Sequence, residues 1–198
     1  HERTLGYPAA RRMVVGNGFD TELFRPQSGA GETLRAALNI ASGTPIVGLA
    51  GRFDPLKDHG NFLRAAAIAR KTCPALIAVL AGPGVTSDNS ELRDVIHGLG
   101  LDKAVRLMGP ISDMPSFYSA LDVAVSSSLS EGFPNAVGEA MACGVPCVVT
   151  EVGECAALLG GTGRVVPPRD SGALAAAITQ MLQLSPAERR EKGAAARA

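Results

Sequence analysis

Val123-Ala124-Val125-Ser126-Ser127-Ser128-Leu129-Ser130-Glu131-Gly132-Phe133-Pro134-Asn135-Ala136-Val137-Gly138-Glu139-Ala140-Met141 places a strand, a loop and the start of a helix in nineteen residues. Val123–Ser126 has the length and continuous apolar character of a strand covered on both faces, which is the mark of a parallel sheet. Gly132 and Pro134 break regular structure, and a helix should begin near Asn135. The free N–H groups and positive end of such a helix form a seat for a diphosphate. Glu131 stays in the loop while Glu139 falls one turn into the helix. Carboxylates so placed can accept hydrogen bonds from hydroxyls at opposite ends of one elongated ligand, such as a sugar and a ribose flanking a diphosphate. Taken alone, the pair is equally compatible with a plain loop residue and a solvent-facing helix residue.

Outward from this unit the pattern repeats. Ile46–Ala50, Leu76–Ala81, Val105–Met108, Cys147–Thr150 and Arg164–Val166 are further strand-length runs. Helical signals lie between them. Asp58 can cap a helix to about Lys71 with Phe62, Leu63, Ala66 and Ile68 on or near its inner face. Asn89 or Ser90 can start one ending at Gly98, Asp113 a short one, Asp170 one reaching Leu182, and Ser185-Pro186 a last one. The expectation is a doubly wound, Rossmann-like α/β domain with a mainly parallel sheet of about six strands flanked by helices. Before it, Arg12–Val15 reads as a strand, Asn17-Gly18 as a turn, and Gly29–Gly31 as a loop before a helix of about Glu32 to Leu38.

The composition sets limits on function. The 198 residues suffice for one substantial core, and hydrophobic residues at 46% exclude a disordered chain. Nineteen basic and nineteen acidic residues cancel, which argues against nucleic acid as a partner. No apolar run approaches the ~20 residues of a membrane span. Cys73, Cys143, Cys147 and Cys155 lack paired C-x2-C spacing and read as reduced, mostly buried small hydrophobes, in keeping with a cytoplasmic location. The chain opens on His1, which suggests a piece of something longer.

In a doubly wound sheet, ligands bind beyond the carboxyl ends of the strands. After Ala50 that rule selects Gly51-Arg52-Phe53-Asp54-Pro55-Leu56-Lys57. Its two cations can grip phosphate oxygens, arginine as a fork and lysine as a compact charge, although such a pair can equally belong to a solvated turn. Gly82-x-Gly84 lacks the third glycine of a dinucleotide fingerprint and is compatible with a simple tight turn. His59 and His97 read as surface helix residues. Asp54 and Asp58 fit turn and cap chemistry better than a metal site.

Glu131-x7-Glu139 preceded by Arg52 and Lys57 resembles the C-terminal, donor-binding domain of GT-B-fold retaining glycosyltransferases of the family 4 (group 1) type. Asn17-Gly18-Phe19-Asp20 with Phe24-x-Pro26, Ala81-Gly82-Pro83-Gly84, Glu139 to Pro146, and Val165-Val166-Pro167-Pro168-x-Asp170 are similar to the family's text in the same order. The resemblance runs from about Gly6 to Leu182. It implies a single nucleotide-sugar-binding domain over 1–198, one half of a GT-B fold. Residues 1–15 would be the tail of a linker from an N-terminal acceptor domain, and 183–198 the start of crossover helices.

The resemblance further implies that a sugar passes from a nucleoside-diphosphate sugar to an acceptor, in polysaccharide or glycoconjugate biosynthesis. Arg52, Lys57 and Glu131 would be the catalytic set: the cations neutralise the leaving diphosphate and Glu131 contacts the donor sugar. Gly51, Gly82, Gly84, Pro110, Ile111, Gly132, Phe133, Pro134, Asn135 and Glu139 would bind donor, with Glu139 on the ribose hydroxyls and Pro110 and Ile111 beside the base. The partners implied are the nucleoside-diphosphate sugar and the acceptor domain. No cofactor and no obligatory metal are expected, since fixed cations can replace one. The intact enzyme would be cytoplasmic, with peripheral membrane association left open. The isolated chain is expected to bind donor without efficient turnover. A sugar-nucleotide epimerase or hydrolase of the same fold, or a non-catalytic nucleotide-binding module, are the alternatives. Glu154 departs from the small residue the family often has there, which leaves donor preference open.

Overall fold

The computed structural model describes residues 17–198. The expected strand at Arg12–Val15 and linker tail at 1–15 lie outside the described residues. The sheet strands are β1 (Ile46–Ala50), β2 (Ile77–Ala81), β3 (Val105–Leu107), β4 (Val123–Ser126), β5 (Cys147–Thr150) and β6 (Arg164–Val166). The helices are α1 (Ala30–Ala37), α2 (His59–Ala69), α3 (Ser90–Gly98), α4 (Met114–Ser119), α5 (Asn135–Ala142), α6 (Cys155–Leu159), α7 (Ser171–Gln183) and α8 (Pro186–Arg197). All six strands are parallel in the order β3-β2-β1-β4-β5-β6. The strand order therefore reverses between β1 and β4, and their carboxyl ends flank the crevice where such sheets bind ligands.

Strand alternation builds two cores. Val47, Leu49, Ala78, Leu80, Val123, Val125 and Val148 face a layer made by α2, α3 and α7. Ile46, Val79, Ala81, Ala124, Cys147 and Val149 face the layer containing α4, α5 and α6. Gly48 of β1 carries no side chain because Leu121 fills the space its Cβ would take. Asp58, Asn89, Asp113, Asp170 and Ser185 cap α2, α3, α4, α7 and α8 through their side chains, as their residue types require. Ser185 and Glu188 complete a reciprocal capping box.

Some expectations need correction. α1 begins at Ala30, two residues before Glu32, and β2 begins at Ile77 instead of Leu76. Ile68 is not on the inner face of α2: it is 39% exposed, and Ala65 and Ala69 are buried with Phe62, Leu63 and Ala66. His59 is not a surface residue but buried. A 3-10 turn at Pro55–Lys57 and the short α6 have no counterpart in the sequence reading. Cys143, Cys147 and Cys155 are buried free thiols, and burial pushes Cys147 up to about 12.

Candidate functional site

A cleft of about 560 Å³ opens at the carboxyl ends of β1 and β4. The loop after β1 contributes Gly51, Arg52 and Lys57; the loop after β4 contributes Glu131, Phe133 and Pro134; α5 contributes Asn135 and Glu139. Pro110, Ile111 and Tyr118 close the remaining side, and Gly82 borders it from the end of β2. The two segments picked out separately in the sequence thus meet across the point where the strand order reverses. Among the described residues, no histidine lines this cleft.

The walls are stitched by short polar contacts. Asp54 caps the 3-10 turn by accepting from the Leu56 N–H at 2.9 Å, which holds its carboxyl below the usual carboxylate range. Asp58, in the left-handed region at φ 44°, ends that turn and caps α2. Ser127 shares its hydroxyl proton between the Lys57 and Asp58 carbonyls at 2.8 and 2.9 Å, and the Leu129 N–H donates to the Leu56 carbonyl at 2.7 Å. Thr150 donates to the Ser128 carbonyl at 2.6 Å, joining β5 to the same loop. Gly153, at φ 51°, lets the loop after β5 lie against the Glu131 carbonyl, which a Cβ would strike.

The charged groups are paired to one another. Lys57 Nζ lies 2.6 Å from Glu131 Oε1, which also accepts from Ser128 Oγ at 2.6 Å. Arg52 reaches Asp54 Oδ2 at 3.3 Å but is 69% exposed. Glu139 Oε2 accepts from the Tyr118 hydroxyl at 2.8 Å. Burial raises the Glu139 carboxyl above its usual range while the Tyr118 hydrogen bond opposes that rise. Burial, reinforced by Glu139, pushes the Tyr118 phenol well up, so it remains a donor at neutral pH.

α5 differs from the five capped helices in having no side-chain cap at its N-terminus. Asn135, Ala136 and Val137, its first residues, border the cleft. Asn135 and Val137 donate their N–H groups to the Phe133 and Pro134 carbonyls at 3.0 Å, so among the described residues it is the Ala136 amide, with the positive dipole end of the helix, that is placed to receive an anion. The helix is held from behind by Phe19, whose ring occupies the space beside Gly138 and stacks on Phe133 at 5.9 Å. Asn17 donates to the Asn135 side-chain oxygen at 3.3 Å.

Most of the anticipated residues border the cleft, but Gly84 and Gly132 do not. Gly84, at φ 75°, packs against Phe53. Gly132 stands exposed at the loop surface. Gly82 does border the cleft, yet its φ of 147° and the Gly51 carbonyl it touches account for the glycine by themselves. Tyr118 and Ser128, which donate to Glu139 and Glu131, are polar groups the sequence reading missed. The signal for Ser128 was its place three residues before Glu131. Tyr118 had none, because α4 reaches Glu139 only through the packing of α4 on α5. His59 lies beneath the β1 loop, its ring 5.4 Å from Phe53, and burial lowers its pKa. No group of His, Cys, Asp and Glu suited to a metal ion occurs among the described residues.

A Rossmann-like sheet with two cations and a helix start meeting across its switch point defines an α/β domain with its cleft where such sheets bind ligands. Residues 44–184 match the family model described as glycosyl transferases group 1, and the chain belongs to that family. It is 35% identical over 186 residues to D-inositol 3-phosphate glycosyltransferase of Mycobacterium tuberculosis, covering 90% of this chain and 38% of the relative. A second such enzyme, from Catenulispora acidiphila, is 32% identical over 191 residues, covering 91% of this chain and 44% of the relative. The chain therefore spans less than half the length of these curated relatives.

Among solved structures it is similar to Anabaena Alr3699/HepE in complex with UDP-glucose, with TM-score 0.87 and 27% identity over 98% of this chain and 54% of that one. It is also similar to the C-terminal domain of the group 1 family protein LpcC from Francisella tularensis, with TM-score 0.77 and 27% identity over 91% of this chain and 95% of that one. The chain covers about half of the first and nearly all of the second, an isolated C-terminal domain, and its architecture is that of one half of a GT-B fold.

Proposed function

We propose that this chain is the donor-binding half of a retaining glycosyltransferase and that the cleft holds a nucleoside-diphosphate sugar. The observation that carries the reading is that Arg52, Lys57 and the uncapped start of α5 border one cleft at the sheet's switch point. Arg52 and Lys57 neutralise the diphosphate, and the Ala136 amide at the start of α5 receives one of its oxygens. Glu139 accepts from the ribose hydroxyls, with Pro110 and Ile111 against the base. Glu131 meets the donor sugar. Because Lys57 rests on Glu131 and Arg52 on Asp54, the diphosphate takes over cations already held in position.

In the transfer, the bond between the anomeric carbon and the β-phosphate oxygen breaks with its electron pair leaving on the diphosphate. The acceptor hydroxyl forms the new bond on the same face and gives its proton to the departing diphosphate oxygen. Charge growing on the leaving oxygen is met by fixed cations and a helix start, the electrostatic kind of catalysis, so no metal is obligatory. The acceptor and its binding domain belong to a second half of the whole enzyme. Glycoconjugate or polysaccharide synthesis in the cytoplasm is the setting proposed for the whole enzyme.

Calorimetric titration with UDP-, GDP- and ADP-sugars tests the reading. At least one should bind, equally well in EDTA, with little or no sugar transfer by this chain alone. Absence of binding to all three overturns the donor-site reading. Binding abolished by EDTA overturns the metal-free mechanism.

A further inference from the structure

Tyr118 is a deeply buried side chain facing the cleft, 2% exposed, with its ring 5.5 Å from that of Phe117 and 6.4 Å from that of Phe24. A phenylalanine would suit such packing better, since a buried hydroxyl must find a partner or lose its hydration without compensation. The partner it finds is Glu139 Oε2 at 2.8 Å, from the neighbouring helix. Among the described residues no hydrogen bond or ion pair engages the other oxygen, Oε1. Glu139 stands on α5 with its carboxylate half-buried and opposed by desolvation. Left to itself, a glutamate with three rotatable bonds would swing towards solvent. The tyrosine, anchored in the core, prevents that and leaves one lone-pair face of the carboxylate open to the cleft.

We infer that Tyr118 is a positioning residue for nucleotide recognition: its hydroxyl fixes one oxygen of Glu139 so that the other is presented to the ribose of a nucleoside diphosphate. This rests on the donor-site reading above and adds to it the group that sets ribose selectivity. The hydroxyl touches no ligand and acts only through Glu139. The bond also supplies the proton donor that a charged, half-buried carboxylate needs when the cleft is empty. Ribose binding then orders nothing new on the protein side, which is where preorganisation contributes to affinity.

The test is a comparison of ribo and dideoxy ligands on wild type, Tyr118→Phe and Glu139→Gln. UDP, GDP and ADP are titrated first, and the tightest is then measured against its 2′,3′-dideoxy form. Wild type should prefer the ribonucleotide. Tyr118→Phe should weaken the ribonucleotide about fivefold to tenfold and leave the dideoxy form within about twofold, so the preference collapses. In Glu139→Gln the preference should already be lost, and adding Tyr118→Phe to it should change neither affinity further. A Tyr118→Phe variant that weakens both ligands alike, or keeps the wild-type preference, overturns the inference and leaves the donor site standing. A wild type that binds no nucleoside diphosphate removes the donor-site reading and this inference together. A wild type that binds both forms equally removes Glu139 from the ribose, and Tyr118 with it.

Discussion

The two ends of the sheet each hold a partly buried ion network, and they are built differently. At the amino ends of β1 and β4, Asp122 lies between Arg35 at 3.3 Å and Arg189 at 3.2 Å and accepts from the Ile46 N–H at 2.8 Å. Arg35 also donates to the Thr44 carbonyl, and Arg189 to the Leu182 and Leu184 carbonyls. Every strong group there is satisfied by another part of the same chain, and the network ties α1, α8 and the two central strands together. At the carboxyl ends Lys57–Glu131 joins the loops after β1 and β4 while Arg52–Asp54 lies within the first of them, and all but Asp54 border the open cleft. The first network spends its charge on the fold. The second leaves its paired charges at the rim of an open cleft beside the start of α5, where the proposed donor would meet them.

Removing the hub of the first network is the strongest way to break the contrast. Asp122→Ala leaves two largely buried guanidinium groups without their counter-ion and should lower unfolding free energy by about 3 kcal/mol, read from urea denaturation. The folded fraction should bind nucleotide as wild type does. If nucleotide affinity fell in step with stability, the two ends would not be separable.

Lys57→Ala should show the converse. Loss of a charge-assisted contact to the diphosphate should weaken nucleotide binding by about thirtyfold, or about 2 kcal/mol. Stability should change less, by about 1 kcal/mol, because Glu131 keeps the Ser128 hydroxyl as a donor at 2.6 Å. Destabilisation as large as that of Asp122→Ala would make both networks structural.

His59 sharpens the comparison through pH. Burial places its folded pKa below the ordinary 6.5. Above pH 6.5 both folded and unfolded chains carry it neutral, and its contribution to stability is fully present. Below 6.5 the unfolded chain binds a proton that the folded chain refuses, so stability falls as pH drops towards the folded pKa. The slope from one such proton cannot exceed about 1.4 kcal/mol per pH unit. His59→Gln should flatten this segment of the stability profile. An unchanged acid slope in the variant would assign the loss to other groups.

The architecture was legible because its determinants are local. Four of the strand runs, Ile46–Ala50, Val123–Ser126, Cys147–Thr150 and Arg164–Val166, coincide with the observed strands. Caps at Asp58, Asn89, Asp113, Asp170 and Ser185 speak through residue type alone. The crevice rule then brought Arg52, Lys57, Glu131, Asn135 and Glu139 to one place. What was illegible depends on tertiary neighbours. His59 carries the signature of an exposed N-terminal helix residue, and the Phe53 ring packed 5.4 Å from it is a neighbour that no local pattern announces. Gly84 carries a ligand-loop pattern but answers to Phe53, and Gly132 marks a turn whose outer side faces solvent. The Tyr118–Glu139 bond spans two helices and twenty-one residues, beyond any local pattern.

Arg52 gives the smallest effect and the finest test of how the cleft keeps its cations. Its partner Asp54 is fixed chiefly by the Leu56 N–H, with Arg52 contributing less to holding that carboxyl ionised. The 3-10 turn should therefore survive Arg52→Ala, and the unfolding midpoint should stay where it is in wild type. Nucleotide affinity should fall only about threefold at low salt, and the difference should vanish at high salt as the Debye length contracts from about 10 Å to about 3 Å. Lys57→Ala, by contrast, should keep most of its deficit at high salt, since Lys57 is only 27% exposed. If the Arg52→Ala deficit also persisted in salt, Arg52 would hold the diphosphate as a desolvated fork, and the two cations of the β1 loop would be equal members of the site.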